Sequence, residues 1–229
     1  MWREPESADR LCEGSNGRCM RIRIGYKKEV PLRFTSALDI QKIWERSFRR
    51  SELKISYSQG FHPQPKIQLG LPLPLGFISD DEQVDIWLEE EVSIQELTSM
   101  IPPNLPDGIS ITSINTIEQD QNPLVTTISV SEYGVKFWDT EFDLKSLQSC
   151  IENLLVQEEI IRTKRNNKQY NLRPLISDLN VRSNQVNDEV FPLQMTLVSK
   201  QNQMGRADEV MFALGYELNQ FLIKRVKSY

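Results

Sequence analysis

The sequence predicts an α+β fold built from two tandem ferredoxin-like (βαββαβ) halves with antiparallel sheets. Three observations predict it. Short stretches such as 83–90 alternate apolar and polar residues with the period of a strand. Amphipathic stretches of helical period separate these strands. The order strand, helix, strand, strand, helix, strand then occurs twice. We therefore divide the chain into a flexible N-terminal arm (1–19), a first half (20–118) and a second half (124–229).

In the first half, local signals fix the helices more sharply than the strands. Ser36 is expected to cap a helix that runs to about Leu53, because Asp39 follows three residues later. Ser93 is expected to cap a shorter helix that ends near Met100, before two prolines. The strands of this half are predicted over 21–26, 54–58, 66–71, 83–90 and 109–117. We expect the first and fourth of them to keep one face in water.

The second half repeats the pattern less regularly. Leucine and isoleucine spacing predicts a helix over 144–155, and a shorter helix is expected over 206–214. Cys150 lies at the edge of the first helix's apolar stripe and is expected to be an inert core thiol. Strands are predicted over 124–130, 134–138, 160–163, 170–179, 190–199 and 221–226.

Composition limits the classes of protein to consider. The chain has 229 residues, of which 39% are hydrophobic and 26% charged, which is typical of a soluble protein. No apolar run approaches the roughly 18 residues of a membrane span, and the start of the chain lacks a signal-peptide core. Three cysteines provide no disulfide framework. We therefore expect a cytoplasmic protein that does not contact a membrane.

The net charge of −5 conceals a strong segregation of charge along the chain. Residues 20–79 carry a balance of +7, residues 80–160 a balance of −16, and residues 161–229 a balance of +5. Two basic segments therefore flank an acidic one, and the average is a poor guide to binding partners. The acidic residues at 80–91 are expected on a solvated strand face, where they repel nucleic acid or dock a basic partner.

The first predicted helix carries a basic stripe opposite its apolar stripe. At about 100° per residue, the four basic side chains fall on one side, and few acidic side chains accompany them. Such a stripe on a packed helix is suited to binding phosphates, although an ordinary solvated face has the same pattern. The basic residues of this stripe are Lys42, Arg46, Arg49 and Arg50.

The segment 56–76, SYSQGFHPQPKIQLGLPLPLG, is predicted to be a stiff loop that presents polar groups at a site. Its four prolines fix the backbone, and its leucines favour burial over disorder. Gln59, His62 and Lys66 are candidates to bind phosphates or base edges, with Arg33 expected nearby. The ordinary alternative for His62 is a histidine in a surface turn without a functional role. His62 is a weak catalytic candidate because no nucleophile or orienting carboxylate accompanies it.

Three further features have ordinary structural interpretations beside functional ones. A basic block in the second half is expected on an exposed hairpin, as a continuation of the phosphate-binding track or as a solubilising loop. Its members are Arg162, Lys164, Arg165, Lys168 and Arg173. Arg206 with Asp208 and Glu209 is most simply the start of a helix. Cys12 and Cys19 alone cannot complete a zinc site, and no cofactor-binding motif is present, so we predict neither metal nor cofactor.

Several of these motifs together resemble the radical SAM-linked protein family of unknown function. They are PLRFTSALD, RSFRRSEL and the 56–76 segment in the first half, and NLRPLISDL and GRADEVMFALG in the second. The resemblance covers about residues 20–229 and implies a radical SAM protein as partner. Two departures are Ala37, where the family commonly has histidine, and Ala207, where it tends to have proline. The chain lacks the cluster-binding CxxxCxxC motif, so radical chemistry itself is not expected of it.

We expect a non-catalytic accessory module that binds RNA, either tRNA or rRNA, for a radical SAM partner. Two alternatives stay open at this stage. One is a stand-alone RNA-processing or RNA-modifying enzyme that uses His62, and the other is a protein-interaction subunit without nucleic acid. The expected nucleic-acid-binding residues are Arg33, Lys42, Arg46, Arg49, Arg50, Gln59, His62, Lys66, Lys164, Arg165 and Arg173.

Overall fold

A computed structural model describes residues 19–118, 121–139, 143–164, 166–186, 189–200 and 203–229. The chain forms two compact units. Unit 1 contains the described residues up to Leu75 together with Asp81–Thr127, and unit 2 contains Gly76–Asp80 with Ile128–Tyr229. Five α-helices lie within the described ranges, and the strands pair mostly antiparallel. None of the described helices has the length and apolar character that crossing a membrane requires.

Unit 1 combines three described helices with a four-stranded part of the sheet. Its elements are β1 (Met20–Lys28), α1 (Ala37–Arg50), β2 (Ile67–Leu69), β3 (Phe77–Leu88), α2 (Ile94–Met100), β4 (Ile109–Ile117) and the short α3 (Leu124–Thr127). The strands lie in the order β4-β1-β3-β2, and β1 with β4 and β2 with β3 are antiparallel pairs. A register shift in β1 falls at Gly25. There an added Cβ would lie 2.5 Å from Ser113 Oγ, so the close strand approach requires glycine.

Helices α1 and α2 of unit 1 begin where the sequence predicts. Ser36 accepts a hydrogen bond from the Asp39 amide and caps α1. Ser93 and Glu96 form a reciprocal capping box at the start of α2. The Ser93 hydroxyl donates to the Glu96 carboxylate and lowers its pKa. On the inner side of α1, Trp44 stacks on Phe48 with ring centroids 5.1 Å apart. These rings anchor the core between α1 and the sheet.

Unit 2 has more strands than unit 1. Its elements are β5 (Val130–Phe137), α4 (Leu144–Leu155), β6 (Ile161–Thr163), β7 (Gln169–Asn171), β8 (Ile176–Val186), β9 (Glu189–Lys200), β10 (Gln203–Met204), α5 (Ala207–Ala213) and β11 (Phe221–Ser228). The main sheet runs β8-β9-β5-β11 with antiparallel neighbours, and β10 pairs with the end of β9. The first three residues of β3, which belong to unit 2, pair with β11 in parallel. Strands β6 and β7 form a separate hairpin.

Two details explain the packing of unit 2. Asp143 caps α4 by accepting from the amides of Lys145 and Ser146. The hydrogen bond that the Ser146 hydroxyl donates to its carboxylate, together with these amide bonds, lowers the pKa of Asp143. On the sheet, the ring of the fully buried Phe191 lies against Gly134, where an added Cβ would approach it to 3.0 Å. The glycine therefore makes room for the aromatic ring across the strand pair.

The fold class predicted from the sequence is confirmed at the level of a mixed helix and sheet protein with mostly antiparallel strands. The finer prediction of two ferredoxin-like halves, and the boundaries of the halves, stay predictions. The predicted strand over 124–130 is wrong, because Leu124–Thr127 is helical and the strand begins at Val130. The predicted core position of Cys150 is also wrong, because that residue is exposed. Apart from Cys19, the predicted arm lies outside the described residues.

The prediction that β1 and β3 each keep one face in water is wrong as well. Arg21 and Asp85 are 2% and 0% exposed, and Glu82 is also buried. Alternation of charged and apolar residues had suggested a solvated face. A strand face on which charged residues are buried and paired with one another gives the same pattern in the sequence. In this structure the charged face is buried in that way.

Candidate nucleic-acid interface

Helix α1 presents its basic residues to solvent as predicted. Lys42, Arg46, Arg49 and Arg50 are exposed, whereas the apolar stripe that contains Trp44 is buried. The stripe arises because residues spaced by three and four positions share one side of a helix. Its packed inner face holds α1 in place, so the guanidinium groups project from a fixed backbone.

The prediction that few acidic side chains accompany the basic stripe of α1 is wrong. Arg49 Nη2 lies 2.8 Å from Glu45 Oε1, and Lys42 Nζ lies 3.9 Å from Asp39 Oδ1. Both pairs are exposed, and such pairs exchange readily with water or another anion. Arg50 donates to the backbone oxygen of Asn104 at 2.7 Å. Within the part of the chain that the structure describes, Arg46 has no ion-pair or hydrogen-bond partner.

Arg33 precedes α1 and combines with an exposed aromatic ring. Its guanidinium carbon lies 4.5 Å from the centroid of the Phe34 ring. Phe34 itself is 73% exposed, which is unusual for a large aromatic side chain. A guanidinium stacked on an accessible ring offers both charge and a flat surface.

The first part of the 56–76 segment is a narrow hairpin. Tyr57 and Pro65 form an antiparallel bridge, and the Ser58 amide donates to Gln64 O at 2.8 Å. The Ser58 hydroxyl accepts from the Gln64 amide at 2.9 Å. Lys66 is half-buried at the base, where its amide donates to Ser56 O. These bonds tie both arms together and leave residues 59–63 as the tip.

The tip of this hairpin is exposed at every position. Phe61 has a relative exposure of 102%, and Gln59 and His62 are exposed beside it. Gly60 has a φ of 146°, a conformation that favours glycine and that lets the chain turn here. Among the described residues His62 contacts no nucleophile and no carboxylate. The tip is therefore a fully accessible turn whose polar and aromatic side chains point to solvent.

The predicted residues of unit 2 have different environments. Lys164 Nζ lies 5.1 Å from the centroid of the Tyr170 ring, and Lys164 is exposed. Arg173 donates through Nε to Leu155 O at 3.1 Å, so its guanidinium satisfies a carbonyl at the end of α4. Arg165 lies outside the described residues. Lys164 thus remains accessible to a ligand, whereas Arg173 has a structural contact.

A buried ionic cluster in unit 1 was not anticipated. The Asp85 carboxylate accepts from Arg21 at 2.6 and 3.1 Å and from Arg23 at 2.8 and 2.9 Å. Arg21 also donates to Gln121 O at 2.6 Å and lies 5.0 Å from the centroid of the Trp87 ring. The cluster covers the face of β1 and β3 that points away from Ile22 and its apolar neighbours. That part of the sheet is therefore closed to a large ligand.

A small pocket of about 290 Å³, part of it open to solvent, lies in unit 1 beside the loop that follows β2. Two buried charged residues, Lys28 and Glu82, line it, and Lys28 Nζ donates to Thr35 O at 3.1 Å. The other lining residues are Tyr26, Ala37, Ile40, Leu69, Leu71, Pro72 and Leu73. The pocket suits a small group at most. The described residues contain no group of three or more histidine, cysteine, aspartate or glutamate side chains placed to hold a metal.

Comparison with known proteins gives a family and no function. No curated protein matches the sequence. The sequence model of a family described as an uncharacterised protein conserved in bacteria, DUF2344, matches residues 21–207. Because this match covers most of the chain, the protein belongs to the DUF2344 family.

Proposed function

We propose that this protein is a non-catalytic module that binds RNA and acts beside a radical SAM partner. The observation that carries the proposal is the exposed row of basic side chains on α1, with Arg46 at its centre and Arg49 one turn further. Guanidinium groups on one side of a rigid helix can contact successive phosphates. The partner is inferred from the resemblance of five sequence motifs to the radical SAM-linked family.

The hairpin tip supports single-stranded RNA as the form that is bound. Phe61 projects fully into solvent, and Tyr57 is 42% exposed further down the same hairpin. Unpaired bases stack on accessible aromatic rings, and polar side chains such as Gln59 bind their edges. Hydrogen bonds across the hairpin reduce the ordering cost of such contacts. In this mode the tip holds bases and α1 holds phosphates.

A binding role agrees better with the geometry around His62 than catalysis does. General acid or base catalysis requires a group held beside the reacting atoms, usually oriented by a second side chain. His62 stands at an exposed tip, and no such orienting group contacts it in the described part of the chain. We therefore assign His62 to ligand contact.

We further infer that each unit is a ferredoxin-like fold. The sheet orders β4-β1-β3-β2 and β11-β5-β9-β8 support this, because both follow the order 4-1-3-2 of a split βαβ unit. Many ferredoxin-like RNA-binding domains use the open sheet face. Here the Arg21–Asp85 cluster occupies that face in unit 1. The proposal therefore places RNA on the helix side and on the hairpin.

The test is titration of the full chain with fluorescent single-stranded RNA at several salt concentrations. The double variant Arg46→Ala/Arg49→Ala should reduce the salt slope of log K by about 1.4, since each phosphate contact on a single strand contributes about 0.7. Lys145→Ala is the matched control, because Lys145 is also basic, helical and exposed. An unchanged slope in the double variant, or an equal loss in the control, would refute the phosphate assignment.

The exposed Phe61 also favours a second candidate, direct docking of the radical SAM protein on the hairpin tip. Large exposed aromatic side chains often anchor protein interfaces. The two candidates separate in one experiment with Phe61→Ala. If the tip binds RNA, the variant loses RNA affinity and still co-purifies with the radical SAM protein after nuclease treatment. If the tip docks the protein, co-purification is lost and RNA affinity is kept.

A further inference from the structure

A second charged centre lies in unit 2, where the β6–β7 hairpin meets the start of α5. Arg162 on β6 and Tyr170 on β7 are directly opposite in the antiparallel register. Side chains at such positions lie on the same face, with Cβ atoms about 5 Å apart. Lys164, the residue that follows β6, places its Nζ 5.1 Å from the centroid of the same ring. The hairpin thus collects two cations around one phenol.

The first turn of α5 supplies the other half of this centre. Arg162 Nε donates to Glu209 Oε2 at 2.6 Å, which joins the hairpin to the helix. Arg206 donates through Nε and Nη2 to the Asp208 carboxylate at 3.1 and 2.5 Å. Asp208 is buried, and Arg206 remains about half exposed. The centre therefore has a closed inner side and an open outer side at Arg206.

The hydroxyl group of Tyr170 is buried, is close enough to the charges of this centre to interact with them electrostatically, and has no hydrogen-bond partner among the described residues. The residue is 7% exposed, so solvent barely reaches it. Burial raises the pKa of Tyr170 to about 12, and Glu209 contributes in the same direction. The hydroxyl is accordingly protonated at neutral pH and available as a donor. Buried hydroxyl groups nearly always have a partner, so this one requires an explanation.

The donors of the centre outnumber its acceptors. Arg162 uses only Nε, and Arg206 leaves Nη1 unused, within the described part of the chain. Asp208 is already occupied by Arg206 and by the Glu209 amide. Counting Lys164, three cations face two carboxylates. A ligand that complements this surplus must be rich in acceptors and negatively charged.

We propose that Tyr170, Arg162 and Arg206 form a binding site for a phosphate-type oxyanion. The Tyr170 hydroxyl donates to one oxygen, and the unused guanidinium N–H groups of the two arginines donate to the others. Glu209 and Asp208 act as positioning residues, because they hold the guanidinium groups in orientation. The site does not depend on the proposed RNA contacts of α1, which belong to the other unit.

The ligand has two possible sources with the same chemistry: free phosphate, or the terminal phosphate of a larger molecule such as a 5′-phosphorylated RNA. Inorganic phosphate, titrated into the full chain and followed by ³¹P NMR and calorimetry, is the first probe. A short RNA with a 5′-phosphate and the same RNA with a 5′-hydroxyl are the second and third. If only the 5′-phosphorylated RNA displaces inorganic phosphate, the natural ligand is the terminal phosphate of a larger molecule. Competition by neither RNA assigns free phosphate.

Tyr170→Phe removes only the hydroxyl oxygen and is therefore the most specific test of the proposed hydrogen bond to the oxyanion. We expect phosphate affinity to fall by about 10-fold, as for the loss of one hydrogen bond to a charged group. Arg206→Lys keeps the charge and should also weaken binding, because an ammonium lacks the guanidinium geometry. The control is Tyr133→Phe, another buried tyrosine of unit 2, which should bind phosphate as the parent chain does.

Two outcomes overturn the proposal. The first is the absence of saturable phosphate binding to the parent chain at tens of millimolar. The second is equal affinity in Tyr170→Phe, Arg206→Lys and the parent chain, which would indicate adventitious ion binding. Circular dichroism of each variant shows whether it is folded. Should Arg206→Lys fail to fold, Tyr170→Phe still decides the question, because it leaves the ion pairs of the centre intact.

Discussion

Replacing Asp85 with alanine should destabilise unit 1 more than the loss of any other single charge from an ion pair of the described residues. Asp85 is fully buried, and its carboxylate accepts from two arginines. The side chain of Arg23 is 18% exposed and can turn toward water, but that of Arg21 is only 1% exposed. Asp85→Ala therefore leaves one guanidinium buried without its counter-ion. Breaking a buried pair in this way costs about 3–5 kcal/mol.

Urea denaturation measures this cost. Fluorescence is a suitable probe because Trp44 and Trp87 both belong to unit 1 and are buried. With a slope of about 2–3 kcal/mol per molar urea, the midpoint should fall by about 1–2.5 M. Glu90→Ala is the matched control, since Glu90 pairs with Lys54 at the surface and removal of an exposed pair changes stability little.

A double variant tests the cause of the destabilisation. In Arg21→Met/Asp85→Ala both partners are removed and an apolar chain fills the site of the arginine. More than half of the lost stability should return, because no isolated charge then remains buried. If the double variant is as unstable as Asp85→Ala, the loss arises from packing and our reasoning is wrong. Equal midpoints for Asp85→Ala and Glu90→Ala would refute it as well.

Three smaller effects follow from local contacts. Ser93→Ala removes the cap of α2 and should lower the unfolding free energy by about 1 kcal/mol, whereas Ser93→Asp should preserve it. Gly134→Ala should cost about 1–3 kcal/mol, because its Cβ presses on the Phe191 ring. The folded pKa of Asp143 lies below its ordinary 3.8, so its stabilising contribution is present above that pH and declines as acid protonates the folded carboxylate. Asp143→Asn should flatten that part of the stability–pH curve.

Local rules predicted the parts of the fold that depend on neighbours in sequence. Ser36 and Ser93 cap α1 and α2, and the basic residues of α1 face away from Trp44. These features follow from a capping side chain and from helical period, which act over three or four residues. Neither feature depends on which strands pair. The part of the candidate interface that lies on α1 could therefore be predicted from the sequence.

The rest depends on contacts between residues far apart in the chain. Arg21 and Asp85 are separated by 64 positions, and only the pairing of strands brings them together. Arg162, which lies opposite Tyr170 in the hairpin, likewise bonds to Glu209 of a helix that begins more than thirty residues later. A single sequence marks such residues as charged or aromatic, and it does not reveal their partners. The two clusters of greatest chemical interest were therefore the ones that sequence patterns missed.

The buried ion pairs also change the meaning of the charge segregation. Asp85 belongs to the acidic segment and neutralises Arg21 of the first basic segment, inside unit 1. Asp80 lies 3.4 Å from Lys224 inside unit 2, and both of these side chains are mostly buried. Acidic residues that the sequence suggested as a surface for repelling nucleic acid thus serve in part as internal counter-ions. If the proposed RNA binding occurs, it should depend on exposed cations such as Arg46, and its salt slope should follow their number instead of the net charge of −5.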